Sequence, residues 1–214
     1  RSDHERPTHF YIRMWPWRPP GGGYLVAARP EVSMDQVFAP WRIDWVERDD
    51  RNTDIEGCVF CALPDREADR ENLVLARADS AYVMLNNYPY NPGHAMVIPR
   101  AHTGEYRDLD AETLLAKERL VQRTIDAMDE ALSPDGYNVG YNLGGGAAGG
   151  SIGDHLHAHV VPRWNGDTNF MPVVGETKVI VEAVEDSYDR LHEAFRAQDG
   201  VREQGENRAV LVEE

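Results

Sequence analysis

Three histidines alternate with apolar residues in the stretch that most constrains this chain, Asp-His-Leu-His-Ala-His-Val-Val-Pro-Arg at residues 154–163. A period of two is typical of a β-strand, so the sequence predicts His155, His157 and His159 on one face of a strand. Three imidazoles on one face are costly to bury as packing, because each neutral ring needs partners for its N–H and its lone pair. The pattern therefore indicates a functional site.

A glycine-rich loop comes just before these histidines and reads Asn-Leu-Gly-Gly-Gly-Ala-Ala-Gly-Gly-Ser over residues 142–151. Glycine lets successive backbone N–H groups turn toward an anion, and a serine hydroxyl can add a further hydrogen bond. We therefore expect Gly149, Gly150 and Ser151 to stabilise negative charge on a phosphate group. Asn142 is expected to make a further phosphate contact. Metal binding by the three histidines alone is the simpler alternative.

The charge of the chain limits its partners. Its 22 basic side chains are outnumbered by 37 acidic ones, which gives a formal net charge of −15 and a pI near 4.9. A field of this sign repels nucleic acid and anionic membranes, so neither is an expected partner. Lysine occurs only at Lys117 and Lys178. Such an acidic, halophilic-type surface predicts adaptation to high salt, where screening removes the self-repulsion.

The length and the N-terminal sequence bear on domain number and location. The 214 residues suffice for one domain with a substantial core. No apolar run approaches the length of a membrane span, and residues 1–20 lack the continuous apolar core of a secretory signal. We therefore expect a cytoplasmic protein. Residues 1–33 are rich in Pro, Gly and Arg and are expected to be a disordered leader.

The two cysteines, Cys58 and Cys61, are separated by two residues. This spacing suits a metal site or a redox pair better than a structural disulfide framework. A reduced pair without metal is the alternative.

Hydrophobic periodicity predicts a mixture of strands and helices. The predicted strands cover residues 71–76, 81–86, 95–99, 137–142 and 155–163. A long helix is predicted over about 111–132, capped within residues 108–110, and a second helix over 179–197. Residues 198–214 are expected to form a flexible acidic tail.

The residues His-Leu-His-Ala-His-Val-Val match a His-φ-His-φ-His-φ-φ signature, where φ is apolar. The sequence thereby resembles the histidine-triad (HIT) superfamily of nucleotidyl hydrolases and transferases. The resemblance covers residues 34–197, which we expect to be one HIT domain. It implies an α+β fold, with an antiparallel sheet of about five strands, a long helix packed on it and a C-terminal helix. Members commonly pair, so a homodimer is expected.

The resemblance also implies a reaction. In the family the middle histidine of the triad attacks the α-phosphorus of a nucleotide, which here would form a covalent nucleotidyl-His157 intermediate. A backbone carbonyl would hold the other nitrogen of that ring. His159 would donate to a non-bridging phosphate oxygen or assist the leaving group, and His155 completes the triad. Asn86 occupies the place of a ribose-contacting Asn, and an adenine nucleotide is the expected substrate.

For members that carry a Cys-x-x-Cys motif, the resemblance implies a zinc site. Its ligands here would be Cys58, Cys61, His102 and His155. Two thiolates and two imidazoles suit tetrahedral Zn²⁺, and a closed set of four ligands would make the metal structural.

One position departs from a common family pattern. Many dinucleotide hydrolases of the family carry Gln about four residues before the first triad histidine, where this chain has Ser151 preceded by two glycines. A Gly-Ser pair there resembles the diadenosine polyphosphate phosphorylases, in which inorganic phosphate resolves the intermediate. Water and phosphate are both open as acceptors. An adenosine phosphoramidate hydrolase, a non-catalytic nucleotide-binding regulator and a zinc-binding interaction module are the alternatives.

Overall fold

The computed structural model describes residues 37–38, 55, 57–144, 148, 152–167, 178–179 and 182–213, and the predicted leader over residues 1–33 lies outside them. The strands are β1 (Val37–Phe38), β2 (Val74–Arg77), β3 (Ala81–Leu85), β4 (Ala95–Pro99), β5 (Gly136–Gly140), β6 (Ala158–Arg163), β7 (Lys178–Val179), β8 (Val201–Arg202) and β9 (Val210–Val212). The helices are α1 (Val59–Ala62), α2 (Ala111–Leu132) and α3 (Val184–Arg196). Within this part of the chain, none of the helices is long and apolar enough to cross a membrane.

Seven of the described strands form one mixed sheet in the order β5-β6-β4-β3-β2-β9-β8. Neighbours from β5 to β2 run antiparallel, whereas β9 pairs parallel with β2. β1 and β7 form a separate parallel ladder. The α+β class predicted from the sequence is confirmed, and the sheet is wider than the expected five strands or so.

Side-chain alternation divides the sheet into two buried faces. The face beneath α2 and α3 carries Leu75, Val83, Leu85, Val97, Ala158 and Val160. The opposite face carries Val74, Tyr82, Met84, Met96 and Ile98, with Phe60 packed on them. Because β3 and β4 are buried on both sides, their sequences read as continuous apolar runs. Met96 is paired with His159, so the second face is also the one on which His159 lies.

α2 begins and ends on local signals, and its predicted bounds are confirmed. The Asp110 side chain accepts a hydrogen bond from the Thr113 backbone N–H at 2.7 Å as N-cap. Ser133 adopts a left-handed φ of 48° at the C-cap. The burial along the helix does not follow polarity at two positions: Leu115 is 54% exposed, whereas Lys117 is fully buried.

The C-terminal segment differs from the flexible acidic tail expected over residues 198–214. β8 pairs with β9, and β9 extends the main sheet beside β2. The short apolar run Ala-Val-Leu-Val at residues 209–212 explains this, because Ala209 and Val210 are both buried. The expectation followed from the polar composition of residues 198–214. It is wrong for residues 201–202 and 210–212.

A buried carboxylate fastens β9 to the sheet. Asp69 has no exposed surface and accepts hydrogen bonds from Arg77 at 2.5 Å, from Arg208 at 3.1 Å and from the Ala209 backbone N–H at 2.9 Å. Burial alone would raise the pKa of Asp69, but the hydrogen bonds from Arg77 and Ala209 outweigh it and lower the pKa. One ionised side chain therefore joins β2 to the residues that enter β9.

We expect Asp69→Asn to lower the free energy of unfolding by about 3–5 kcal/mol, because it leaves the Arg77 guanidinium buried without its counter-ion. Urea unfolding at neutral pH measures the change. Asp65→Asn is the matched control, since the Asp65 carboxylate is 79% exposed and 3.9 Å from Arg100, and little change is expected.

The same carboxylate predicts a pH dependence. The folded-state pKa of Asp69 is lowered, so its contribution is present above the unfolded value of about 3.9 and is lost as the pH falls through the folded pKa. An equal loss of stability in the Asp69 and Asp65 variants would contradict this assignment.

Candidate functional site

The triad histidines lie at the entry to β6. That strand begins at Ala158, three residues later than predicted, so His155 and His157 precede it and His159 lies within it. The alternation expected from the sequence holds: Leu156 is buried, and Ala158 lies in the core beneath the helices. His159 is paired with β4 on one side and with β5 on the other.

Backbone contacts hold the segment before β6 against the residues that follow β4. The Leu156 N–H donates to the Thr103 carbonyl at 2.7 Å. A Cβ atom on Gly104 would meet the Gly153 carbonyl oxygen at 2.3 Å, so only glycine allows this approach. The two segments lie side by side, which brings His102 next to His155.

One hydrogen bond to the main chain fixes the His157 ring. Its Nδ1 lies 2.9 Å from the carbonyl oxygen of His155, and because a carbonyl only accepts, Nδ1 carries the hydrogen. The lone pair of the neutral ring is therefore on Nε2. The Phe60 ring packs on the same imidazole, with ring centroids 5.1 Å apart. An imidazole held in this tautomer can act as a nucleophile or a base through Nε2.

Four potential metal ligands from three parts of the chain converge beside this ring. They are Cys58, Cys61, His102 and His155, and their ligand atoms all lie within 4.8 Å of one another. The His155 Nδ1 atom is 3.3 Å from Cys58 Sγ and 3.5 Å from Cys61 Sγ. The His102 Nδ1 atom is 3.4 Å from Cys61 Sγ and 3.3 Å from His155 Nδ1.

These distances fit one tetrahedral ion. Metal–sulfur bonds of about 2.3 Å and metal–nitrogen bonds of about 2.0–2.1 Å place two nitrogens about 3.3 Å apart and a sulfur and a nitrogen about 3.5 Å apart. The His155 Nε2 atom donates to the Pro99 carbonyl at 2.8 Å, which leaves Nδ1 as the lone-pair nitrogen facing the thiols. Burial lowers the pKa of His155 and favours the neutral ring that a ligand must be. These four residues could hold a metal ion.

Two further imidazoles meet at the other end of the row. The Nε2 atom of His94 is 3.0 Å from Nδ1 of His159, and His94 is 1% exposed. The backbone N–H of Tyr90 donates to Nδ1 of His94 at 3.0 Å. On the far side of His159, Nε2 is 3.3 Å from the side-chain nitrogen Nδ2 of Asn142. The pKa of His159 is lowered to about 4, mainly by burial and to a smaller extent by the neighbouring His157. This ring is therefore neutral at pH 7.

Asn86 shapes the turn after β3. Its side-chain oxygen accepts a hydrogen bond from the Tyr88 backbone N–H at 2.7 Å, and its own backbone N–H donates to the His94 carbonyl at 2.9 Å. The expected phosphate contacts of the glycine loop, Gly149, Gly150 and Ser151, lie outside the described residues.

A buried lysine supports the approach to the glycine loop. Lys117 on α2 is fully buried and donates to the Tyr141 hydroxyl and the Glu118 carboxylate. Its Nζ also lies 4.7 Å from the Tyr141 ring centroid and 5.9 Å from that of Tyr106. Because Tyr141 directly precedes Asn142, this cluster fixes the backbone from which Asn142 extends.

Sequence reasoning missed three residues that complete this arrangement. Phe60 contacts both His155 and His157, and its place between the two cysteines was the available signal. His94 is buried in the core, and its ring contacts His159 of the triad. Lys117 falls at helical spacing from the buried Leu120 and Val121, and this spacing was the available signal.

The fold and this row of imidazoles define a family. A family model described as HIT domain matches residues 67–166. The chain is 38% identical over 159 residues to the AP-4-A phosphorylase of Mycobacterium tuberculosis, which is 72% of this chain and 80% of that protein. The chain therefore belongs to the HIT family, as the sequence resemblance implied.

Two further relatives place the chain within this family. It is 30% identical over 108 residues to an adenosine 5′-monophosphoramidase of Schizosaccharomyces pombe, covering 50% of this chain and 75% of that protein. Among solved structures, a zinc-bound histidine triad family protein from Mycobacterium smegmatis superimposes with a TM-score of 0.53 at 32% identity, covering 65% of this chain and 94% of that one.

The four converging donors predict one bound metal ion per chain. We expect Cys58→Ser to weaken metal affinity by at least about tenfold, because a neutral hydroxyl replaces a thiolate. Metal analysis after removal of excess ion, together with thermal melting with and without a chelator, measures the effect. His192→Gln is the control, since His192 on α3 is also buried but donates to the backbone carbonyl of Arg208, away from the metal set. Equal metal content in both variants would contradict the assignment.

Proposed function

We propose that this chain is a nucleotide-cleaving enzyme that acts on a dinucleoside polyphosphate, diadenosine tetraphosphate or similar, through a covalent nucleotidyl-His157 intermediate. The main support is the hydrogen bond of 2.9 Å from His157 Nδ1 to the His155 carbonyl. It leaves the lone pair on Nε2, the nitrogen that would attack the phosphorus. Membership of the HIT family and the 38% identity to an AP-4-A phosphorylase support this substrate class.

The reaction takes two displacements at one phosphorus. First, Nε2 of His157 attacks the α-phosphorus, a P–N bond forms, and the P–O bond to the polyphosphate breaks. ATP leaves when the substrate is diadenosine tetraphosphate. An oxygen of phosphate or water then attacks the same phosphorus and loses its proton, and the P–N bond breaks. The products are ADP or AMP and the regenerated imidazole.

The surrounding residues would stabilise the charge that develops on the phosphate oxygens. His159 and Asn142 lie within hydrogen-bond reach of each other at the end of β5 and would both face the α-phosphate. The N–H groups of Gly149 and Gly150 and the hydroxyl of Ser151 would supply further donors. Asn86 would contact the ribose through its amide N–H group.

Zinc is the proposed occupant of the four-residue metal set. Two thiols and two imidazoles with spacings of 3.3–3.5 Å suit this ion, and a relative has been solved with zinc bound. When bound, the ion supplies a cross-link with no open coordination position. His155 would then use its ring for the metal and its carbonyl for His157, so the metal set supports the orientation of the attacking ring.

The acceptor of the nucleotidyl group in the second displacement is either inorganic phosphate or water. The phosphorylase relative favours inorganic phosphate, and the Ser151 position, where hydrolases carry Gln, agrees with it. The phosphoramidase relative supports a second candidate, hydrolysis of an adenosine phosphoramidate, which would use the same His157 intermediate. A non-catalytic nucleotide-binding regulator would bind the same ligands without turnover.

Product analysis separates these outcomes. With diadenosine tetraphosphate, we expect ADP and ATP when phosphate is present, and we expect an acid-labile adenylate on the chain after quenching. His157→Ala should lower turnover by at least about 10³-fold and keep nucleotide binding, because only the nucleophile is lost. AMP formed equally well without phosphate would assign hydrolysis. Unchanged turnover in His157→Ala would overturn the proposed mechanism.

We further propose that the chain forms a homodimer through α2 and the sheet edge at β5. Leu115 on α2 and Val139 on β5 are 54% and 46% exposed, and β5 ends the described sheet. The mass of one chain is 24.2 kDa, so light scattering should give about 48 kDa for the dimer. Val139→Lys should shift the equilibrium toward the monomer. A monomer mass for the unmodified chain at all concentrations would contradict the proposal.

A further inference from the structure

His94 lies outside the triad, but its ring is buried against a triad histidine. The turn around it is well defined, since its backbone N–H donates to Asn91 and its carbonyl accepts from Asn86. The Tyr90 ring stacks on it, with centroids 4.8 Å apart and an interplanar angle of 20°. The ring is therefore held in one orientation. If one of its nitrogens is fixed as an acceptor, the other nitrogen of the neutral ring must be the donor.

The direction is set at one end by the main chain. A backbone N–H can only donate, so the 3.0 Å contact from Tyr90 N to His94 Nδ1 makes that nitrogen an acceptor. His94 is therefore the neutral tautomer that carries its hydrogen on Nε2. The imidazolium form is disfavoured, because a hydrogen on Nδ1 would face the Tyr90 N–H.

The same logic continues into His159. The His94 Nε2–H lies 3.0 Å from His159 Nδ1, which must then accept, so the neutral His159 ring carries its hydrogen on Nε2. This N–H faces the Asn142 side chain, whose Nδ2 atom is placed 3.3 Å away. Since an amide nitrogen only donates, this tautomer requires the amide to be turned by 180° so that Oδ1 accepts from His159. A second hydrogen on His159, at Nδ1, would point at the Nε2–H of His94. The cationic form of His159 is therefore disfavoured.

We propose that His94 is a positioning residue that fixes His159 as the Nε2–H tautomer, which makes His159 a neutral hydrogen-bond donor to the substrate phosphate and not a proton shuttle. The proposal rests on the proposed nucleotidyl transfer for its substrate. As a consequence, two neighbouring rings, with centroids 4.9 Å apart, hold opposite tautomers. His157 has a lone pair on its Nε2, whereas His159 has a hydrogen on its Nε2. Attack and stabilisation of the phosphate are thereby assigned to different rings.

The tautomers can be measured in the full chain without nucleotide. Long-range ¹H–¹⁵N correlation spectra distinguish Nε2–H from Nδ1–H rings, and a His159→Gln sample assigns the signals. We expect Nε2–H for His159 and Nδ1–H for His157 at neutral pH. An Nδ1–H or doubly protonated His159 in the unmodified chain would overturn the proposal, and this holds even if no His94 variant folds.

Two substitutions test the origin of the tautomer. His94→Leu removes the donor, so we expect a mixture of His159 tautomers and a kcat lower by about 10- to 100-fold with little change in KM. His94→Gln keeps an amide N–H that can reach His159, and it should restore the Nε2–H signal and a kcat within about fivefold of the original. His192→Gln controls for the loss of a buried imidazole elsewhere.

The outcomes separate this inference from the proposed function. A His159 signal unchanged in His94→Leu would overturn the positioning role. If the expected tautomers are found and depend on His94, but the unmodified chain cleaves no nucleotide, the positioning role stands and the proposed function fails.

Discussion

The hydrogen bond from the His157 ring to the carbonyl of His155 is the constraint on which the site depends. A carbonyl can only accept, so this one contact decides which ring nitrogen keeps a lone pair. The contact is useful only if the carbonyl does not move. Two backbone interactions hold it: the Leu156 N–H bonds to Thr103, and the close approach at Gly104 leaves no room for the segment to shift. The His155 ring adds a third through its bond to the Pro99 carbonyl.

The two faces of the sheet explain why the chemistry lies where it does. Alternation along β6 sends Ala158 and Val160 beneath α2 and α3, where small and β-branched residues pack against the helices. The opposite face is covered by the short segment around α1, whose Phe60 packs on His155 and His157. Polar rings on that face find backbone carbonyls and one another as partners, which compensates for their burial.

Local signals explain which parts of the fold could be predicted. The Asp110 cap of α2 depends only on neighbours in sequence, and its prediction agrees with the structure. The period of two correctly predicts a strand at His159, but that strand begins at Ala158 and leaves His155 and His157 before it. The position of β9 depends on Asp69, 140 residues from Ala209, and the pairing of His94 with His159 spans 65 residues. No local pattern carries such contacts. The four-residue metal set follows from the family resemblance, because a lone Cys-x-x-Cys motif does not specify its partners.

His155 links two parts of the site that would otherwise be independent. Its ring nitrogen Nδ1 belongs to the metal set, and its carbonyl holds the His157 ring, so a displacement of the first also displaces the acceptor of the second. Phe60 makes a second connection, because it lies in α1 between the two cysteines and touches the His157 ring. With all four ligands taken from the protein, the proposed metal site would take no part in bond making. His155 and Phe60 nevertheless connect its ligands to the His157 ring. The proposed metal cross-link and the orientation of the His157 ring would therefore depend on each other.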